Sequence, residues 1–339
     1  MRLLGLCVNG ILDAKNFLPL AIELRTRHRI ILDVMDFGSF TDELVGRYDG
    51  LVVGSDWNQN RKIVEKFLSL GKRTVLVQSE GMFIDPAKWY IGKPPITGLA
   101  CLWGNVHAEL FRARGYHGEI AVTGPPRFDI YHRFISRFSR SEIFERLGIY
   151  RDARPYVLFL GQFFPKGEFG PALMGIQKQM TEFACRTPSS FRVLIKCHPQ
   201  ETQAGYFSRA DIVKAAGTDH VTVVDNGGHT ELIEITNLIS EAELVVSYSS
   251  TASIEAALLG RPSAIFDDTH ESPLANGTIA QLPVVKTPTE VRDLALAPVD
   301  AYAVQNFIQR FLPGGINGDF TEKTAAAIAV YLRGRAPVA

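Results

Sequence analysis

The chain is short of three things, each of which would have decided its class. Of its 339 residues only four are cysteine, Cys7, Cys101, Cys185 and Cys197, and none shares the spacing of a zinc-ligand pair or a disulfide framework. A reducing cytoplasm is the compartment this implies. Net charge is lacking too: 36 Lys plus Arg balance 36 Asp plus Glu. No overall field draws the chain to nucleic acid, and an anionic ligand must be held by local groups. Nor does any apolar run approach the roughly 18 residues that cross a bilayer. The opening MRLLGLCVNGIL is apolar but has no basic stretch followed by a long apolar core, so it reads as a buried first strand and not as a signal peptide. Peripheral contact with a membrane surface stays open.

What is present is an alternation of strand and helix signals. Leu3 to Val8, Ile30 to Val34, Leu51 to Val53, Thr74 to Val77, Ala100 to Trp103 and Ile120 to Val122 read as strands, and helical patterns run over Asp13 to Arg27, Arg61 to Leu70 and Val106 to Arg114. Residues 133 to 155 are charged and carry no strand signal, which places a boundary there. A second alternation uses Tyr156 to Leu160, Val193 to Ile195, Val221 to Val224, Leu244 to Val246, Ser263 to Phe266 and Pro283 to Val285, with a long helix near 171 to 185. Such alternation implies α/β architecture with doubly wound parallel sheets. The expected domains are 1–140, 141–300 and a helical tail, 301–339, that crosses back to brace the first.

Two strand ends in the second half carry polar tips. VLIKCHPQE leaves its strand at Lys196-Cys197-His198-Pro199, and SYSSTASIEAALLGRP leaves its strand into Ser249, Ser250 and Thr251 before a helix. Open α/β sheets bind ligands outside the carboxyl ends of their strands, so both tips are expected to border one crevice. Ser and Thr also suit a helix N-cap for the backbone alone, and one hydroxyl can cap while its neighbours meet a phosphate. His198 can donate to a phosphate oxygen; a histidine capping a helix is the plainer alternative. Glu255, one turn beyond Thr251, is placed to accept from a ribose or sugar hydroxyl. Gly161 and Gln162 end another strand, where glycine admits close backbone approach. No acidic cluster has a metal-binding spacing, and no cofactor is expected.

Together LFLGQFF, IKCHPQE and SYSSTASIEAALLGRP resemble the strand-end GQ, His-Pro and Ser-Ser/Thr motifs of bacterial sialyl-, polysialyl- and Kdo transferases, which are GT-B glycosyltransferases of surface polysaccharide synthesis using CMP-sugars. The resemblance implies two Rossmann-like domains facing a cleft. It further implies a metal-independent transferase of the capsule or lipopolysaccharide kind, with a nucleotide-sugar donor and a glycan or glycolipid acceptor. Gly161, Gln162, His198, Pro199, Ser249, Ser250, Thr251 and Glu255 would then hold the donor, and His198 would also serve the chemistry. In the first domain VLVQSEGMF is similar to the paired-acid-glycine motif that supplies those enzymes' general base. Ser79 stands where the first acid would be, which leaves Glu80 as the base, with Asp56 its rival on a neighbouring strand end and Asp13 a weaker one.

Two other readings share the architecture. CDP-glycerol-type polyol-phosphate transferases use a first-domain histidine as base, and no histidine follows the strand ending at Gln78. UDP-N-acetylglucosamine 2-epimerases are isomerases that need several carboxylates around the sugar. A non-catalytic nucleotide-sugar-binding module is the plainest alternative.

Overall fold

The computed structural model describes residues 1–8, 10–56, 58–79, 95–133, 136–162, 169–198, 208–225, 234–248, 250–267, 282–312 and 318–334. Contacts divide the chain into two compact units, Met1–Arg133 with Ile308–Ala339, and Phe134–Phe307. The boundary therefore lies at Arg133 and not at 140. Residues 136–140 are tied into the second unit, where Ser136 and the Arg137 N–H bond Asn237 Oδ1 and Arg140 pairs with Glu243 at 2.6 Å.

In the first unit the strands are β1 (Arg2–Cys7), β2 (Ile31–Asp36), β3 (Gly50–Val53), β4 (Arg73–Val77), β5 (Leu99–Leu102) and β6 (Glu119–Val122). They form one parallel sheet in the order β2-β1-β3-β4-β5-β6. The helices are α1 (Ile11–Glu23), prolonged by a π-turn over Leu24–His28, α2 (Asn58–Ser69) and α3 (Asn105–Ala113). Strands β3 and β5 are buried along their whole length, as the unbroken apolar runs of a sheet covered on both faces require. One face packs Phe17, Leu20 and Leu24 of the α1 segment against Leu3, Val52 and Val75. The other packs Ile63, Val64 and Phe67 of α2 against Leu4, Leu51 and Val53.

The second unit repeats the plan. Its strands are β7 (Tyr156–Leu160), β8 (Arg192–Lys196), β9 (Val221–Val224), β10 (Leu244–Ser247), β11 (Ser263–Phe266) and β12 (Val284–Val285). They are again all parallel, in the order β12-β11-β10-β7-β8-β9. Its helices are α4 (Arg140–Arg146), α5 (Phe169–Cys185), α6 (Arg209–Ala216), α7 (Ile235–Glu241), α8 (Ala252–Leu258) and α9 (Pro288–Leu296). Two of these start at capping boxes, Ser139 with Glu142 and Thr287 with Glu290, the second reinforced by Pro288 in the first turn.

Two helices remain, α10 (Ala301–Phe311) and α11 (Phe320–Leu332). Helix α11 buries Ala325, Ile328, Ala329, Tyr331 and Leu332 in the same cluster as α1. Its start is held by Asp129, whose carboxylate accepts the N–H groups of Phe320 and Thr321 at 2.8 and 2.9 Å. At a helix N-terminus a carboxylate satisfies orphan donors and meets the positive end of the dipole. All four cysteines are buried, and none is in a disulfide. Among the described residues no helix is long and apolar enough to cross a membrane.

Candidate functional site

Topology marks one place in each sheet. In the first, β1 lies between β2 and β3, so successive crossovers leave it in opposite directions and a crevice opens at the carboxyl ends of β1 and β3. In the second the corresponding place is between β7 and β10.

At the first crevice the chain leaves β1 through Gly10, which holds φ of 52°, and enters α1 with Asp13 in its first turn. Asp13 is fully buried. Its Oδ2 accepts the Val8 N–H at 2.7 Å and its Oδ1 accepts the Ser79 hydroxyl. Asn16, one turn on, donates to Ser79 Oγ at 3.3 Å and accepts the Arg127 N–H at 3.1 Å. Gly54, just after β3, completes the packing: a methyl there would collide with both the Asp13 carboxylate and the Ser79 hydroxyl. The ends of β1, β3 and β4 thus meet in one buried polar knot. Beside it, Gln78 accepts the Trp103 backbone N–H through Oε1 at 3.1 Å, and its carbonyl accepts the indole N–H at 2.6 Å. The Arg127 guanidinium lies over the rings of Trp103 and Phe128, 5.4 and 4.7 Å from their centroids.

Asp56, expected as the rival base on a neighbouring strand end, lies just past β3. It is fully buried, and its Oδ2 accepts the N–H groups of Ile96 and Thr97 at 2.7 and 3.1 Å. Burial pushes its pKa above the ordinary carboxylate range, outweighing the lowering by those two donors. This carboxylate fastens the segment that leads into β5. Glu80, Pro199 and Ser249 lie outside the described residues.

At the second crevice Gly161 continues the ladder past β7, donating to the Lys196 carbonyl at 2.8 Å, and Gln162 follows it half-buried. His198, beyond β8, is half-buried, and Cys197 before it donates to the Val224 carbonyl at 2.9 Å. After β10 the hydroxyls divide their work. Ser247 Oγ pairs with Ser253 Oγ at 3.0 Å inside the protein, and Ser250 Oγ accepts the Ala252 N–H at 3.2 Å. Thr251 stands at the N-cap of α8 in helical conformation, and its side chain makes no capping bond. Glu255 is buried on α8, its N–H donating to the Thr251 carbonyl at 3.4 Å. Asp267, just past β11, is a further buried carboxylate at this edge.

Of the expected residues, Asp13 and Ser79 are bonded to each other in the first unit, while Gly161 and Gln162 follow β7 and Ser250, Thr251 and Glu255 follow β10 in the second. Sequence reasoning did not anticipate Asn16 or the Gln78–Trp103 lock, because the partners lie 63 and 25 residues apart and neither has a local pattern. Among the described residues no group of three or more His, Cys, Asp or Glu side chains is arranged to hold a metal ion.

No protein-family model matches the sequence, and no curated protein matches it. Solved structures do. The chain is similar to the UDP-N-acetylglucosamine 2-epimerase of Neisseria meningitidis bound to UDP-GlcNAc, with a TM-score of 0.68 at 14% identity over 97% of this chain and 99% of that one. It is similar to the Methanocaldococcus jannaschii UDP-GlcNAc 2-epimerase in complex with UDP-GlcNAc and UDP, with a TM-score of 0.60 at 13% identity over 98% and 100%. The wall teichoic acid polymerase TagF matches with a TM-score of 0.60 at 11% identity over 98% and 89%. These likenesses establish the fold, two Rossmann-like units of GT-B type.

Proposed function

We propose that the protein is an enzyme acting on a nucleotide-activated sugar of bacterial surface-glycan metabolism. Uridine is the expected nucleotide, and the reaction is of the UDP-N-acetylglucosamine 2-epimerase type. The observation that carries this is the near full-length likeness to two epimerases solved with UDP-GlcNAc or UDP, joined to polar strand ends at the crevice of the second unit. A uridine carrier takes the place of the CMP that the His-Pro and Ser-Ser/Thr resemblance implies.

In this reading Gly161 lets the backbone approach the nucleotide, and the Thr251 hydroxyl, unused by the helix, meets a phosphate oxygen together with Ser250 and His198. Glu255 accepts from the ribose. An isomerase must take a proton from carbon and stabilise charge with fixed polar groups, and buried carboxylates are the means available: Asp13 on the first unit, Glu255 and Asp267 on the second. Glu80 adjoins the Asp13–Ser79 pair in sequence and is the candidate proton-transfer group.

Transfer to a glycan acceptor is the second reading. It is favoured by the likeness to TagF and by the SEG sequence at the end of β4, where Glu80 would deprotonate an acceptor hydroxyl.

Thermal melts with UDP, UDP-GlcNAc, CMP and CDP test the nucleotide, since a ligand of the folded state raises stability with the logarithm of its occupancy. UDP and UDP-GlcNAc are expected to raise the melting temperature. Proton NMR of UDP-GlcNAc with the enzyme in deuterated water then tests the reaction: epimerisation exchanges the C2 proton, whereas transfer leaves it in place. Stabilisation by CMP alone would reject the uridine assignment.

A further inference from the structure

Helix α1 is coloured the wrong way on its outer face. Its buried side is orthodox: Asp13, Asn16, Phe17 and Leu20 face inward. Diametrically opposite, at helical spacings of four, three and four, stand Ile11, Lys15, Leu18 and Ile22. The three aliphatics are 70%, 55% and 66% exposed, where a surface helix of a soluble domain ordinarily presents polar groups. Lys15 lies within this line. Arg25 prolongs it into the π-turn and Arg29 follows at the left-handed cap, all three exposed. No acid falls on the line. Glu23, the nearest on the helix, turns aside to bind Arg27 at 2.8 Å, and Arg27 also holds Glu322 of α11.

We infer that this face of α1 docks on an anionic lipid surface. The charge pattern selects the occupant: aliphatic side chains interleaved with cations and no anion match the boundary between acyl chains and acidic headgroups. A convex helix face of single-residue width also asks no shape complementarity of its partner, which a protein interface of ordinary size would require. Three aliphatics and three cations give weak, reversible and salt-sensitive attachment, not insertion. The inference stands on α1 alone and is independent of the nucleotide and of the reaction.

The test is sedimentation of the full chain with sucrose-loaded vesicles of phosphatidylcholine, pure or containing phosphatidylglycerol. Binding is expected to the mixed vesicles only and to decline as salt rises. Lys15→Ala with Arg25→Ala is expected to weaken it about thirtyfold, from two cations near the surface. Leu18→Ser with Ile22→Ser should weaken it comparably. Leu296→Ser, at an exposed leucine of the second unit, should leave it unchanged. Circular dichroism confirms that each variant is folded, and either pair serves if the other is not. Absence of binding to both vesicle types overturns the inference, as does binding that neither pair alters. Self-association that Leu18→Ser with Ile22→Ser abolishes also overturns it, by assigning the face to a second copy.

Discussion

The two crevices occupy equivalent places in two sheets of one plan, yet their polar groups are disposed differently. In the first unit α1 is tied to distant segments, Asp13 and Asn16 to the Ser79 hydroxyl at the end of β4 and Asn16 to the Arg127 backbone N–H. In the second the bonds are short-range, Ser250 to Ala252 and Ser247 to Ser253, and the Thr251 side chain makes no capping bond. A group fixed by distant partners keeps its geometry at the expense of freedom to meet a ligand. One held by its own helix start can exchange partners cheaply. Among the described residues the first edge thus holds its carboxylate through distant partners, and the second leaves the Thr251 hydroxyl outside the cap of its helix.

The sharpest way to break this contrast is to crowd the first crevice. Gly54→Ala puts a methyl against the Asp13 carboxylate and the Ser79 hydroxyl, both buried and both bonded. Overpacking of this kind, together with the disturbed hydrogen bonds, is expected to cost about 3 kcal/mol or more. Urea unfolding should show it, whereas Gly175→Ala, on α5 of the second unit with open space around it, should not fall measurably.

Next in size is Asp13→Ala, which strips the Val8 N–H and the Ser79 hydroxyl of their acceptor and is expected to cost roughly 2–4 kcal/mol. The exchange Asp13→Ser with Ser79→Asp moves the carboxylate to the end of β4, where the resembled motif carries its first acid. If the crevice needs a carboxylate at that point in space, whichever strand supplies it, the exchange recovers stability and turnover that each single change loses. Equal losses in the single and double variants would mean that the knot is only structural.

These residues also show where the sequence stops being legible. The twelve strands among the described residues could be read as apolar runs with polar ends, most plainly those such as β3, β5 and β7 that are buried along their whole length. The capping box that starts α9, Thr287 with Glu290, is as local a signal but was not anticipated. The parallel order follows from alternation alone. But Ser79 looked merely like a missing acid, and Asp13 like a minor candidate. Nothing in one sequence says that residues 66 apart are hydrogen-bonded. The partners of Asp56 are hidden for a related reason: the N–H groups its carboxylate accepts come from Ile96 and Thr97, 40 and 41 residues on. The nucleotide is not legible at all, because strand-end motifs mark a crevice and not the base bound in it.

On the second edge the expected effect is smaller and lies in binding. Thr251→Val keeps the shape and removes a hydroxyl that α8 does not use, so stability should stay within about 0.5 kcal/mol. Affinity for UDP should fall about tenfold to a hundredfold, the worth of one hydrogen bond to a charged group. A loss of stability with unchanged UDP affinity would make this edge as structural as the first.

The smallest effect is a change of slope. Burial raises the Asp56 pKa, so the folded state binds that proton more tightly than the unfolded chain does. Its contribution to stability is fully present below the ordinary aspartate pKa of about 4 and is lost as pH rises through the folded value. Asp56→Asn retains an oxygen for the Ile96 and Thr97 N–H groups and removes the titration. The difference in melting temperature, variant minus wild type, should therefore become more positive as pH rises above about 4. Asp56→Ala lacks that oxygen and should be destabilised at every pH. A difference for Asp56→Asn that is flat with pH, or that falls as pH rises, would show that the two backbone donors outweigh burial. Asp56 would then be a stabilised anion, fit to act on charge in the crevice and not only to fasten it.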